Sequence, residues 1–283
     1  MIEIPVAVVT GASDGIGAAL AELMAKHSER RLFLVLCGRD KSKLARVALL
    51  CQQHGASVLE ITGDLRQEED CRRLISSTIS RFGRIDTLVC NAGVSGHALL
   101  EEVKAEEMQW FEDMMRINFW SAVWCTHAAL PWLRQHQGRL VAVSSLAGLA
   151  GVPGRTAYCA SKFALNGFME ALRTELPPDE MSITVAYPGV VDTQIRQKGY
   201  NSKGQSAGSS GLREHKAMAV KQCARLIHEA MMERDREVVM TWQGKLGRWI
   251  KLIAPDMVDK MAKEALQKPL NAARDKASGV KSN

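Results

Sequence analysis

The sequence has little from which a disulfide framework or a metal site could be built. Its seven cysteines are scattered along 283 residues, and none form a Cys-x-x-Cys pair. An odd number of cysteines without such pairs is typical of reduced thiols in a cytosolic protein. The histidines show no metal-ligand spacing, and His228-Glu229 lacks the second histidine of a zinc-binding helix. We therefore expect neither disulfides nor a bound metal.

Long apolar runs are also missing. No stretch approaches the roughly 20 apolar residues that a membrane-spanning helix needs. The start, MIEIPVAVVTGAS, has no basic segment followed by an apolar run and a small-residue cleavage site, so it predicts a first strand rather than a signal peptide. The final Lys-Ser-Asn is not a peroxisomal signal. These absences favour a cytoplasmic location.

Most of the excess positive charge lies in the C-terminal region. The net charge is +6, and from Thr241 onward nine Lys or Arg residues stand against four Asp or Glu residues. Because the basicity lies in a tail and no nucleic-acid-binding module is recognisable, we expect no nucleic-acid partner.

Within this basic region, residues 244–253 form an amphipathic pattern. One helical side carries apolar residues and its borders carry cations, namely Leu246, Trp249, Ile250 and Ile253 beside Lys245, Arg248 and Lys251. A basic amphipathic helix can make a peripheral contact with a membrane. We favour the alternative, in which the apolar side packs on the domain or on a second subunit and the lysines face solvent.

Short runs rich in Val, Ile and Leu alternate with longer helical patterns. The predicted strands are Pro5–Thr10, Leu32–Cys37, Ser57–Thr62, Thr87–Cys90, Arg139–Ser144, Ser182–Tyr187 and Glu237–Met240. The predicted helices are Ile16–His27, Lys41–His54, Gln67–Phe82, Glu106–His136, Ala157–Leu176 and Leu212–Arg234. Continuous apolar strands in strand–helix order predict a parallel sheet that is covered on both faces. The predicted fold is α/β, a doubly wound, mainly parallel seven-stranded sheet (Rossmann fold) in a single domain.

We expect residues 1–240 to form this domain, 241–270 a C-terminal helical extension and 271–283 a flexible tail. Thr193–Gly211 is rich in Gly and Ser and is too long for an ordinary connection, which predicts a lid or a mobile loop.

The first predicted strand runs directly into Gly11-Ala12-Ser13-Asp14-Gly15-Ile16-Gly17. Glycines remove side chains where the backbone turns and where a pyrophosphate must approach. The following helix N-terminus offers free N–H groups and a partial positive charge. A tight strand–helix connection alone could also use these glycines, but their place at the first junction favours dinucleotide binding.

The end of the second strand indicates which dinucleotide. NAD-specific Rossmann folds place an acidic residue here to hold the ribose 2′-hydroxyl, whereas this sequence has Gly38-Arg39. An arginine can bind a 2′-phosphate through charge-assisted hydrogen bonds. We therefore expect NADP(H), with NAD(H) as the alternative. Asp14 counts against this expectation, because an acid in the loop would repel that phosphate.

With these motifs, the sequence resembles the short-chain dehydrogenase/reductase family over roughly residues 5–240. TGASDGIG is similar to the family's TGxxxGxG, and Asn91-Ala92-Gly93 to its Asn-Asn-Ala-Gly, from which Cys90 departs. Pro188-Gly189 followed by Thr193 resembles its Pro-Gly-x-x-x-Thr. SSLAGLAGVPGRTAYCASKFALNGF further resembles the branch that contains the 11β-hydroxysteroid dehydrogenases and the DHRS7-type reductases.

The motifs and the resemblance together give the expected cofactor contacts, with Asp64 at the adenine ring. The set is Gly11, Ser13, Asp14, Gly15, Ile16, Gly17, Arg39, Asp64, Leu65, Asn91, Ala92, Gly93, Tyr158, Lys162, Pro188, Gly189, Val191 and Thr193.

The resemblance also implies a catalytic tetrad of Asn118, Ser145, Tyr158 and Lys162. Tyr158 and Lys162 are four residues apart in a predicted helix, so they share one face. A nearby ammonium favours the phenolate, and we expect Lys162 to lower the pKa of Tyr158 so that this residue can exchange a proton with the substrate oxygen. Ser145 would hold that oxygen, and Asn118 would support a water that reaches Lys162.

These features predict an NADP(H)-dependent oxidoreductase acting on an apolar ketone, aldehyde or secondary alcohol, such as a steroid, a retinoid or a lipid-derived carbonyl. We expect an apolar pocket formed by Val94, Leu99, Val152, Pro153 and Tyr200, and a homodimer or homotetramer. The alternative is a non-catalytic NADP(H)-binding sensor on the same fold. A serine hydrolase using Ser145 is disfavoured, because the sequence has no G-x-S-x-G motif.

Overall fold

A computed structural model describes residues 4–28, 31–177, 179–208, 217–260 and 262–264. In these ranges seven strands form one parallel sheet in the order β3-β2-β1-β4-β5-β6-β7. The strands are β1 (Val6–Thr10), β2 (Phe33–Gly38), β3 (Ser57–Thr62), β4 (Thr87–Cys90), β5 (Arg139–Val143), β6 (Ser182–Tyr187) and β7 (Glu237–Val239). The helices are α1 (Gly15–Lys26), α2 (Lys41–Gln53), α3 (Glu68–Phe82), α4 (Gln109–Met115), α5 (Ser121–Gln135), α6 (Thr156–Glu175), α7 (Val220–Met232) and α8 (Trp242–Ile253).

The sheet confirms the predicted fold class, and each predicted strand forms. The central strands β1 and β4 are buried along their whole length. Because successive side chains of a strand point to opposite faces, β1 contributes to two cores. Val6 and Val8 pack with residues of α3, α5 and α6, whereas Ala7 and Val9 pack with residues of α1, α2 and α7.

Two predicted helices differ from the structure. The pattern over Glu106–His136 is interrupted by a π-helical turn, Arg116–Trp120, between α4 and α5. The helix predicted from Leu212 begins only at Val220. Residues 217–219, the described part before this helix, are extended. The N–H and carbonyl groups of Met218 bond there to the chain after β6. Residues 212–216 lie outside the described ranges.

The segment after β6 pairs with the loop after β4. The backbone of Tyr200 bridges to Gly96 and to Ser206, and its N–H donates to the Ser95 carbonyl at 2.9 Å. The predicted lid therefore has a defined backbone over 193–208, while 209–211 lie outside the described ranges.

The helix α8 packs on the domain through its cationic side. Arg248 pairs with Glu237, and the Lys251 ammonium donates to the Leu149 carbonyl at 2.8 Å. Leu246, Trp249 and Ile253 are instead 50%, 66% and 86% exposed. The expectation of an apolar side on the domain with its cations in solvent was wrong for Leu246, Trp249 and Ile253 and for Arg248 and Lys251, because these two cations find acceptors on the domain. Lys245 is exposed as expected, and Ile250 is partly buried.

The expected second subunit and the membrane contact of this segment stay predictions. Beyond α8, residues 255–260 and 262–264 are helical, and 265–283 are not described. Within the described ranges, none of the helices combines the length and the apolar character that crossing a bilayer requires.

Substituting a core leucine tests the packing of α3 on the sheet. Leu74 is 0% exposed, whereas Leu49 of α2 is 56% exposed. We expect Leu74→Ala to lower the free energy of unfolding by about 2–5 kcal/mol, because it leaves a cavity in the core. Leu49→Ala, the matched control, should change it by less than about 0.5 kcal/mol. Urea unfolding measures both values, and equal losses would contradict the packing described here.

Candidate functional site

One cleft of about 780 Å³ lies at the carboxyl ends of the central strands. The strand order reverses between β1 and β4, and open α/β sheets bind ligands at this switch point. Most of the predicted site residues line the cleft, namely Gly11, Ser13, Asp14, Gly15, Ile16, Arg39, Leu65, Asn91, Ala92, Gly93, Ser145, Tyr158, Lys162, Pro188, Gly189, Val191 and Thr193. Gly17, Asp64 and Asn118 lie outside its wall.

The glycine loop has a backbone that side chains would disturb. Gly11 and Gly15 have φ angles of +64° and +57°, a region that glycine adopts readily. At Gly17 a Cβ atom would come within 2.4 Å of the Asn91 amide nitrogen and of the Gly11 carbonyl oxygen. Gly17 thus allows close packing of α1 on the glycine loop, and its expected contact with the cofactor stays a prediction. The Asp14 carboxylate caps the same helix by accepting from the Gly15 N–H at 2.8 Å.

Hydrogen bonds join the glycine loop to the segment after β4. The Thr10 hydroxyl accepts from the N–H groups of Asn91 and Ala92 at 2.9 and 3.0 Å, and donates to the Val89 carbonyl. The Asn91 side-chain amide donates to the carbonyls of Thr10 and Gly11 at 2.9 and 3.2 Å. These bonds fix one rim of the cleft against the other.

Cations line the wall beside the glycine loop. Arg39, Lys43 and Lys198 all contribute to it, together with Asp14 and Asp40. The ammonium groups of Lys43 and Lys198 lie 3.1 and 3.2 Å from the Asp14 carboxylate. Partial burial by itself raises the pKa of Asp14, but hydrogen bonds from the two lysines lower it overall. The sequence pattern offered no reason to place Lys43 and Lys198 in the cleft, and Lys198 is distant from the loop in sequence.

Asp64 turns away from the cleft. Its carboxylate accepts two hydrogen bonds from Arg66, at 2.9 Å from Nε and 2.6 Å from Nη2, and Arg66 also bonds to Asp113 at 3.0 Å. The residues on either side, Gly63 and Leu65, line the cleft instead. The expected contact of Asp64 with an adenine ring stays a prediction.

Tyr158 lies in the first turn of α6 and is 8% exposed. Burial raises the pKa of its phenol above the usual value, although the charge of Arg155 and a hydrogen bond with Ser145 act in the opposite direction. The phenol is therefore held protonated. Ser145 follows β5, and its hydroxyl accepts from the Ala147 N–H at 3.2 Å.

Lys162 is buried one turn further along α6. Its ammonium donates to the Val143 carbonyl at 2.9 Å and lies 5.8 Å from the centroid of the Tyr158 ring. Burial lowers the pKa of Lys162 to about 8. The expected lowering of the Tyr158 pKa by Lys162 stays a prediction; here the ammonium bonds to the Val143 carbonyl, and burial raises the pKa of the phenol.

Asn118 lies in the π-helical turn, outside the cleft lining, and bonds to residues near the site. Its side-chain oxygen accepts from the Val94 N–H at 2.8 Å, and its amide nitrogen donates to the Val94 carbonyl at 3.0 Å and to the Ser161 hydroxyl at 2.9 Å. A side chain bound in this way is fixed in position. The water that would connect it to Lys162 stays a prediction.

The cleft includes only part of the apolar set expected from the sequence. Val94 and Val152 line it, but Leu99, Pro153 and Tyr200 do not. Two arginines, Arg155 and Arg196, line it as well. The sequence pattern gave no sign of them, because arginines are ordinarily placed in solvent. Within the described part of the chain, no cluster of His, Cys, Asp or Glu side chains could hold a metal ion.

The depressed pKa of Lys162 predicts a specific pH dependence of stability. The folded-state pKa is about 8 and the usual value is 10.5, so the unfolded chain binds more protons between these pH values. Relative to Lys162→Met, the wild-type protein should therefore gain free energy of unfolding as pH rises from 8 to 10.5. Urea unfolding across this range measures the difference.

The exposed Lys221→Met in α7 provides the control for the loss of one positive charge. A wild-type-minus-variant difference for Lys162 that stays flat, or that falls with pH, would contradict the buried ammonium.

Comparison with known proteins agrees with this geometry. Residues 5–203 match the family model described as short chain dehydrogenase. The chain is 35% identical over 260 residues to 11-beta-hydroxysteroid dehydrogenase A of Sesamum indicum, covering 90% of this chain and 73% of that protein.

Two solved structures have the same fold. An alcohol dehydrogenase from Thermococcus sibiricus, complexed with 5-hydroxy-NADP, matches with a TM-score of 0.70 and 26% identity, over 83% of this chain and 95% of that one. A short chain dehydrogenase/reductase from Burkholderia phymatum, in complex with NAD, matches with a TM-score of 0.76 and 24% identity, over 90% and 95%. The chain belongs to the short-chain dehydrogenase family, whose members are oxidoreductases acting on CH–OH groups.

Proposed function

We propose that this protein is an NADP(H)-dependent carbonyl reductase or alcohol dehydrogenase with an apolar ketone, aldehyde or secondary alcohol as substrate. The observation that carries the proposal is the meeting of the Tyr158 phenol, the Ser145 hydroxyl and the glycine loop in one cleft. Steroids, retinoids and lipid-derived carbonyls are the substrate classes that we propose, and the names of its relatives support a hydroxysteroid-like group.

The residues present fit a phosphorylated dinucleotide. The N-terminus of α1 opens onto the cleft at Gly15 and Ile16, where backbone N–H groups can bind a pyrophosphate. On the adjoining wall three cations, Arg39, Lys43 and Lys198, stand against two carboxylates. The negative charge of Asp14 is thus compensated, which removes the main objection to a 2′-phosphate. We assign Arg39 and Lys43 to that phosphate.

The reaction proposed for this site is carbonyl reduction and its reverse. When bound, the dinucleotide supplies the hydride for reduction and accepts it in oxidation. The Ser145 hydroxyl donates a hydrogen bond to the substrate oxygen and stabilises the charge that develops there. The Tyr158 phenol then transfers its proton to that oxygen, and solvent returns a proton to the phenolate.

The state of Tyr158 in the structure favours the reductive direction. Because burial keeps its phenol protonated, the residue is ready to act as an acid without prior loss of a proton. Lys162 and Asn118 fix the floor of the cleft. Lys162 bonds to the Val143 carbonyl, and Asn118 bonds to the backbone of Val94.

The role of Tyr158 is tested by removing one hydroxyl group. We expect Tyr158→Phe to lower the rate of NADPH oxidation with apolar ketones by about 100-fold or more, because general acid catalysis contributes at least that factor. NADPH binding, followed by fluorescence, should stay within about 3-fold of wild type. Tyr187→Phe removes a hydroxyl group from the buried core and should retain activity. Tight NADPH binding without turnover of any ketone in a broad panel would favour the sensor instead.

The choice of cofactor is tested at Arg39. We expect Arg39→Ala to weaken NADPH binding by about 10-fold, the effect of losing a charge-assisted hydrogen bond, and to leave NADH binding nearly unchanged. Arg46→Ala removes another exposed arginine, in α2 and outside the cleft lining, and is the matched control. Calorimetric titration gives the dissociation constants. Equal losses for both dinucleotides would remove the phosphate assignment.

A further inference from the structure

A cation lies at the substrate end of the cleft, outside the expected catalytic set. Arg155 precedes α6, three residues before Tyr158, and lines the cleft. The carbon atom at the centre of its guanidinium group lies 5.6 Å from the centroid of the Tyr158 ring, and its Nη1 donates to the Ser95 hydroxyl at 3.1 Å. The guanidinium is therefore held in place beside the reacting hydroxyl.

This guanidinium has no counter-ion among the described residues. No carboxylate there lies within salt-bridge distance of it, and its buried Nε–H has no hydrogen-bond partner. Burial, with the charge of Arg196 adding to it, lowers the pKa of Arg155. Arg155 is partly buried, and a charge withdrawn from water is ordinarily paired, because it loses hydration that only a partner can replace. The cation therefore points to a ligand that brings the negative charge.

We propose that Arg155 binds an anionic group of the substrate, and that the substrate is an oxo acid or hydroxy acid with an apolar body. A guanidinium matches a carboxylate through its N–H donors, and the terminal nitrogens of Arg155 are the ones that can reach a ligand in the cleft, because its Nε is buried. This assignment rests on the proposed oxidoreductase function and narrows its substrate class.

The geometry also limits the distance between the two ends of the substrate. The guanidinium packs on the ring that carries the reacting hydroxyl, so the carboxylate and the oxo carbon should be only a few bonds apart. Val94, Val152 and Ile195 also line the cleft and suit an alkyl chain.

A different role for Arg155 is electrostatic tuning of Tyr158, since its charge acts against the effect of burial on the pKa of the phenol. The two roles predict different kinetics. Tuning would change the turnover of charged and neutral substrates alike and shift the pH profile of kcat. Anion binding would change KM mainly for the charged substrate.

The first experiment compares a 4-oxo fatty acid with its methyl ester, using NADPH oxidation. For the wild-type protein we expect kcat/KM to be about 10-fold or more higher for the acid, the effect of one charge-assisted contact. Arg155→Met should remove this preference by raising KM for the acid more than KM for the ester. Arg155→Lys should retain part of it, because lysine offers the charge without the paired donors.

Arg225→Met, an exposed arginine of α7, is the control for net charge and should retain the full preference for the acid. Equal kcat/KM of acid and ester in the wild-type protein would overturn the proposal without any variant. Equal losses on both substrates in Arg155→Met would also overturn it and indicate tuning.

A second experiment measures binding without turnover. Calorimetric titration of the NADP-loaded protein with nonanoate and with nonanamide should show tighter binding of the carboxylate in the wild type only. Arg155-dependent binding of nonanoate without turnover of any ketone would sustain the anion site while the oxidoreductase function fails. Turnover of neutral ketones without a carboxylate preference would reject the anion site and leave the function intact.

Discussion

The hydroxyl group of Thr10 holds the sheet together at the place where the cleft opens. It accepts from the N–H groups of Asn91 and Ala92 and donates to the carbonyl of Val89. The strand order reverses here, so the crossovers on either side leave in opposite directions and their loops separate. The Asn91 amide adds bonds to the glycine loop. The two rims of the cleft, the glycine loop and the segment after β4, are held in position by these hydrogen bonds.

Burial, rather than direct pairing, sets the protonation of the central groups. It raises the pKa of the Tyr158 phenol and lowers the pKa values of Lys162 and Arg155. In each case the pKa moves toward the neutral form, since the charged form loses hydration without gaining a full counter-charge. Such a site keeps the Tyr158 phenol protonated, and its cations can bind the anionic group of a ligand. The same poor solvation strengthens each hydrogen bond made there.

Elements that the local residue pattern identifies were predictable from the sequence. Every strand was identified, because continuous runs of Val, Ile and Leu suit strands buried on both faces. Motifs at strand ends were expected to meet, and Ser145 and the glycine loop do line one cleft. The π-helical turn at Asn118, the start of α7 at Val220 and the orientation of α8 were not predictable. Each depends on a partner far away in the chain, which local pattern does not reveal.

The sequence by itself determined the parallel sheet, the glycine turn and the shared helical face of Tyr158 and Lys162, because periodicity and residue type act over a few neighbouring positions. Only the tertiary structure decided that Lys162 bonds to Val143, that Lys43 and Lys198 compensate Asp14, and that Arg155 lies partly buried beside the ring of Tyr158. Burial and charge pairing join residues that are distant in sequence, so they arise only once the chain has folded.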